Sequence, residues 1–214
     1  MDNAAVLLRI MMGIGAYIEA LDDWSSSEST IVAIRLKHAG QEKALMEMFP
    51  HTYVSAITEP RSLSFVGNAK SISALFNYAQ QNGLPADKMD VTGKAHNPEN
   101  EPVVPEFMEI LNRHPELFRL PDASNHLQVT LRSNRTGEAL TDAEVIEDMV
   151  IMMLAACCDW YELLSRVAVD LKATNREAHR LVIFGLSVPF CPPQPPPRFG
   201  CATYSSSPRI LRRF

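Results

Sequence analysis

Residues 30–91 decide the fold: TIVAIRLKHAGQEKALMEMFPHTYVSAITEPRSLSFVGNAKSISALFNYAQQNGLPADKMDV. Thr30–Lys37 alternates apolar and polar side chains, the period-two signature of a half-buried strand. Gln41–Phe49 sets Ala44, Leu45 and Met48 on one helical face, since residues three and four apart are neighbours there. His51–Ile57 is rich in β-forming side chains, and Glu59-Pro60-Arg61 supplies a turn. Ser62–Val66 makes a second strand close behind, stopped by Gly67-Asn68. Ala69–Gln81 carries the apolar stripe Ile72, Leu75, Phe76, Tyr78 and Ala79, and Gly83-Leu84-Pro85 ends it. Lys88–Val91 is the last strand.

The order β-α-β-β-α-β is the ferredoxin-like arrangement, with two helices covering one face of a four-stranded antiparallel sheet. It places the chain in the α/β class and leaves function open, because this arrangement hosts many activities.

Upstream, residues 3–21 lack proline and β-branched runs and read as a helix apolar nearly all round, the pattern of an interior helix. Ala4–Ile18 is apolar apart from Arg9, too short to span a bilayer, and Asp2 stands where a secretory signal carries positive charge. Polar Asp22–Ser29 reads as a linker. Downstream, Val103–Arg113 reads as a helix with Phe107, Ile110 and Leu111 inward, Leu127–Leu131 as a strand, and Ser133–Gly137 as a turn. Thr141-x-x-Glu144 is a capping-box pattern opening a methionine-rich helix to about Cys158. Trp160–Lys172 reads as a further helix and Arg180–Phe184 as a buried strand. From Ser187 the composition changes: seven of the 15 prolines fall between Pro189 and Pro208, a make-up suited to neither ladder nor helix. The abrupt change is what translation from a different frame or from an unspliced intron would produce.

Charge narrows the partners. The tail holds four arginines and no acid, leaving 16 basic against 25 acidic side chains before it, and an acidic body does not suit nucleic acid. The four cysteines fit neither a metal pattern nor a disulfide framework, which points to a reducing, cytoplasmic setting. Cys157 and Cys158 end an apolar helix and read as structural. The six histidines take no zinc spacing with the cysteines, and Met149, Met152 and Met153 read as core.

The segment most suited to chemistry is Gly93-Lys94-Ala95-His96-Asn97-Pro98-Glu99-Asn100. A histidine just after a strand exit, followed by Asn-Pro, sits on a loop of fixed geometry. An imidazole there can take a proton from a nucleophile and return it to a leaving group. A loop histidine bonded only to its neighbours is the other reading. Arg132 and Arg135 flank a turn, either solvated or facing an acidic partner helix.

Several pieces in order resemble the starter-unit acyltransferase domain of fungal non-reducing polyketide synthases. FPHTYVSAITEPRSLSFVGN (Phe49–Asn68) is similar to the family's small-subdomain stretch, and GKAHNPEN (Gly93–Asn100) to its loop with the catalytic histidine. LQVTLRSNRTGEAL (Leu127–Leu140) and CDWYELL (Cys158–Leu164) are similar to its following strand, turn and helix. The resemblance covers about Ala4–Leu186. It implies a ferredoxin-like small subdomain, residues 29–92, joined to part of an α/β-hydrolase-like large subdomain, residues 1–28 and 93–186. The family would continue into further ordered structure, and residues 187–214 depart from it as a tail whose proline-rich composition predicts polyproline or disorder.

The resemblance further implies ping-pong acyl transfer in which His96 activates a cysteine or serine. The acyl group would come from coenzyme A or a carrier-protein phosphopantetheine thioester, and pass to an acyl carrier protein, with no bound cofactor, metal, nucleic acid or membrane. The family's nucleophile sits on a G-x-C-x-G or G-x-S-x-G elbow, and neither occurs in these 214 residues. That elbow lies before the helix resembling Ala4–Leu21, so the resemblance implies a chain truncated at both ends and inactive alone. The alternative is a non-catalytic module that docks an acyl carrier protein or a partner acyltransferase.

Overall fold

The computed structural model describes residues 3–21, 29–119, 130–141, 143–173, 181–183 and 201–203. In chain order these form α1 (Asn3–Leu21), β1 (Ile31–Arg35), α2 (Glu42–Met48), β2 (Thr52–Glu59), β3 (Ser62–Gly67), α3 (Ala69–Gln81) and β4 (Ala86–Met89). A 3-10 turn (Pro98–Val103) then leads to α4 (Val104–Arg113), α5 (Pro115–Phe118), α6 (Val145–Leu154), β5 (Cys158–Asp159), α7 (Trp160–Ala173), β6 (Leu181–Ile183) and β7 (Cys201–Thr203). The chain divides into two compact units, 1–167 and 168–214.

The sheet of the first unit runs β4-β1-β3-β2-β5. Its first four strands are antiparallel throughout, the ferredoxin-like order the sequence predicts. The fifth is an addition: β5 pairs in parallel with β2 through Ala56↔Cys158 and Ile57↔Asp159. The last ferredoxin-like strand begins at Ala86, two residues ahead of expectation. Arg35 donates its N–H to the Pro85 carbonyl, so the ladder starts at once after the proline. Asn68 caps α3 by accepting from the Ser71 N–H at 2.8 Å. α2 and α3 lay Leu45, Ile72, Leu75 and Ala79 on Val32, Ile34, Leu63 and Phe65, forming one apolar core.

A second core gathers Val6, Ile10, Ile14 and Ile18 of α1 with Val104, Phe107 and Leu111 of α4 and Val150 and Leu154 of α6. Here the structure corrects the reading of α1 as buried all round. Only the stripe at every fourth residue is covered, and Leu8 and Met12 on the other side are 61% and 67% exposed. The helix spans the expected residues 3–21, but its apolar window runs past Ile18, and by length and composition Ala4–Leu21 is long and apolar enough to cross a membrane. Ile110 is turned outward too, because Val104, Phe107 and Leu111 already make the inward stripe of α4.

α6 stops at Leu154, short of the expected Cys158, and its capping box is half made. Glu144 accepts from both the N–H and the hydroxyl of Thr141, which diverts the threonine side chain from the helix N–H groups. Most of the expected strand Leu127–Leu131 lies outside the described residues; Arg132 makes an isolated bridge to Ala139. In the second unit β6 and β7 pair in parallel, Leu181↔Cys201 to Ile183↔Thr203. Cys201-Ala202-Thr203 contains no proline, so this piece of the tail forms a ladder despite the composition around it. The rest of the proline-rich tail lies outside the described residues.

Candidate active site: a histidine on the end of α6

The loop Gly93–Asn100 meets the C-terminus of α6. A helix leaves its last four carbonyls without partners of its own, and this loop caps the last three, the fourth being taken by the residues that follow α6. The Ile151 carbonyl accepts from Ala155 and Ala156, the Met153 carbonyl from the His96 N–H at 3.0 Å, and the Leu154 carbonyl from the Asn97 N–H at 3.0 Å. Asn100 Nδ2 adds a bond to Leu154 O at 3.0 Å. The Met152 carbonyl accepts from the His96 ring itself, Nδ1 at 2.7 Å, with the Ala156 carbonyl 3.2 Å from the same nitrogen.

That pairing fixes the ring chemistry. Carbonyl oxygens only accept, so Nδ1 carries the proton and Nε2 of the neutral ring is the acceptor. Among the described residues, both hydrogen bonds of the ring run through Nδ1. The ring is half-buried, on a loop whose Asn97 is fully buried. His96 has φ +54°, a left-handed conformation costing a non-glycine residue roughly 1–2 kcal/mol, which the bonds to α6 hold in place.

A second group of side chains ties this loop to the sheet. Tyr53 on β2 donates its hydroxyl to Glu99 Oε1 at 2.5 Å, and His51 Nδ1 lies 3.7 Å from the same oxygen. Asn97 Oδ1 accepts from the Glu99 N–H at 3.0 Å, and its Nδ2 approaches Glu99 Oε2 at 3.5 Å. Partial burial and the Glu99 carboxylate push the Tyr53 hydroxyl up to about 12, and the Tyr53 hydrogen bond holds the Glu99 carboxyl below its ordinary value. His51 is left-handed as well, φ +64°. Its carbonyl comes so close to β3 that a Cβ on Gly67 would sit 2.6 Å from it, so that position requires glycine.

The cysteines lie just beyond. Burial, then the Asp159 carboxylate, pushes the Cys157 thiol up to about 12 and the Cys158 thiol to about 11. Both stay protonated at neutral pH, the state of structural thiols. Arg135 spends its guanidinium on Asp148, Nη2 at 3.1 Å and Nε at 3.2 Å from Oδ1, which also accepts from Ser133 Oγ at 2.8 Å. Arg132 donates to the Gly137 carbonyl at 2.8 Å. Among the described residues no group of three or more His, Cys, Asp or Glu side chains could hold a metal. His96 is legible in the sequence; its carbonyl partners and the side chains that brace its loop are not. Glu99 and Asn100 stand in the same segment, but Tyr53 reads only as a strand residue, and backbone carbonyls of α6 leave no sequence signal.

This architecture matches solved acyltransferases. The malonyl CoA-acyl carrier protein transacylase of Burkholderia pseudomallei superposes with a TM-score of 0.61 at 18% identity, over 80% of this chain and 55% of that one. The acyltransferase domain from the second module of the salinomycin polyketide synthase gives 0.55 at 19%, over 75% and 35%. The fold is that of acyltransferase domains. No protein-family profile matches the chain, but curated sequences do. It is 49% identical over 193 residues to the non-reducing polyketide synthase Preu6 of Preussia isomera, 89% of this chain and 8% of that protein. It is 38% identical over 200 residues to pks12 of Talaromyces marneffei, 91% and 11%, and 38% over 192 residues to atr1 of Stereocaulon alpinum, 89% and 8%. The chain is a relative of the fungal non-reducing polyketide synthases, aligned with a segment of roughly a tenth of their length.

Proposed function

We propose that the chain is a segment of a starter-unit acyl-carrier-protein transacylase, with His96 as its general base. The observation that carries this is the His96 ring, whose Nδ1–H is committed to the Met152 carbonyl so that Nε2 is left to take a proton. In the first half-reaction Nε2 takes the proton of a cysteine thiol or serine hydroxyl as that group attacks an acyl thioester. The imidazolium then returns the proton to the departing coenzyme A sulfur. In the second half, Nε2 takes the proton of a carrier-protein phosphopantetheine thiol, which attacks the acyl-enzyme and leaves the nucleophile reprotonated. The Met152 carbonyl at the end of α6 holds the ring in the tautomer and orientation that both halves use, the orienting part a carboxylate plays in a catalytic triad.

The reading divides residues 29–92 from 1–28 and 93–186 as small and large subdomains, places the chain in the cytoplasm, and takes an acyl carrier protein as its partner. The nucleophile is not among these residues: no elbow motif occurs, and Cys157 and Cys158 are held protonated. The chain alone is therefore not acylated by acyl-coenzyme A, as intact-mass measurement would show; one stoichiometric adduct would contradict the proposal. A docking module without catalysis is favoured instead if an acyl carrier protein is retained by the chain and His96→Ala leaves transfer unchanged in an enzyme carrying this segment.

A further inference from the structure

We infer that Tyr53 and Glu99 are positioning residues, forming a clasp that carries the geometry of the sheet to His96. This rests on the reading of His96 as the base. Among the described residues His96 is bonded directly to the end of α6 and to Ala156, two residues before β5 joins β2, while Thr30 Oγ1 holds the Gly93 carbonyl at the start of its loop at 3.0 Å. The clasp adds a tie from β2 to the loop on the other side of His96. Glu99 lies three residues beyond His96, and its carboxylate takes the Tyr53 hydroxyl from β2 on one oxygen and Asn97 Nδ2 on the other.

Both ends of the clasp are built stiffly. On the sheet side, His51 reaches the same carboxylate from a left-handed position, pressed against the glycine that ends β3. On the loop side, Asn97 is fully buried, caps the 3-10 turn through the Glu99 N–H, and gives its own N–H to Leu154. Of the two left-handed non-glycine residues among those described, His51 lies 3.7 Å from the carboxylate and His96 stands three residues before it in the chain. Strain of that kind persists where the surroundings over-determine a geometry. A hydroxyl–carboxylate bond of 2.5 Å between a sheet strand and the histidine loop is such a determinant.

The test uses the whole chain and needs no activity. Side-chain nitrogen spectra report the His96 tautomer, and amide hydrogen exchange reports the loop. The native chain should show the Nδ1–H tautomer with protected His96 and Asn97 amides. Tyr53→Phe, which removes one oxygen from a half-exposed side chain, and Glu99→Ala should mix in the Nε2–H tautomer. They should also raise exchange at those two amides at least tenfold while β1 and β3 amides keep their rates. Glu99→Gln, which can still accept from Tyr53, should restore much of the native pattern. An unchanged tautomer and loop exchange in Tyr53→Phe would overturn the inference, and so would a uniform rise over all amides. If the transfer assay shows His96 to be uninvolved in chemistry, the reading of the base fails while these spectra still decide the clasp.

Discussion

The two cores of the first unit are made on different terms. Between α2, α3 and the sheet, the stripe of α3 and Leu45 of α2 find their partners within residues 31–84, and Phe65, Ile72 and Leu75 are wholly covered, whereas Ala44 and Met48, expected on the same face as Leu45, are exposed. Around α1, one stripe is covered and the opposite side keeps Leu8, Met11 and Met12 at the surface. The difference teaches that hydrophobicity in a sequence states how much a segment can bury, and the partner elements decide how much it does. The sheet core is held by packing. The helical core leans in addition on polar anchors, the Asp148 cluster and the capped end of α6.

Phe65→Ala should have the largest effect, costing about 3–5 kcal/mol in urea unfolding, whereas Leu8→Ala should stay within about 0.5 kcal/mol. Equal losses would erase the contrast. Asp148→Ala should cost about 2–3 kcal/mol, because Ser133, 1% exposed, loses its acceptor and Arg135 its pair. That loss should appear as faster exchange in α6 before the sheet, which sharpens the distinction between polar and apolar anchoring.

The smallest effect is the pH dependence of the Glu99 clasp. Its folded carboxyl is held below the ordinary 4.5, so its stabilisation is complete above the unfolded value and is lost as the pH falls through the folded one. The gap in melting temperature between the native chain and Glu99→Gln should be constant from about pH 7 to 5.5 and close in more acid solution. A gap that widens in acid would give the shift the wrong sign.

The sheet unit was legible because its signals are local: alternation in Thr30–Lys37, a helical stripe in Ala69–Gln81, and turns at Glu59-Pro60-Arg61 and Gly83-Leu84-Pro85. β5 was not, since a two-residue edge strand at Cys158–Asp159 has no period to read, and its pairing depends on where α6 ends. His96 could be singled out as a histidine on a structured loop. Its left-handed backbone and its bond to a carbonyl of α6 could not, because backbone acceptors carry no residue identity. The exposed side of α1 was hidden for a related reason: an all-round apolar helix gives the same pattern whether one face is covered or all of them.

The most direct test is acyl transfer in the Preussia isomera synthase with its corresponding segment replaced by residues 4–186 of this chain. With His96 in place the exchanged enzyme should load its carrier protein, and His96→Ala should lower kcat/KM for loading by about 10²–10⁴-fold. Loading that is unchanged by His96→Ala would contradict the assignment of the base, and with it the account of α6 as the element that prepares it.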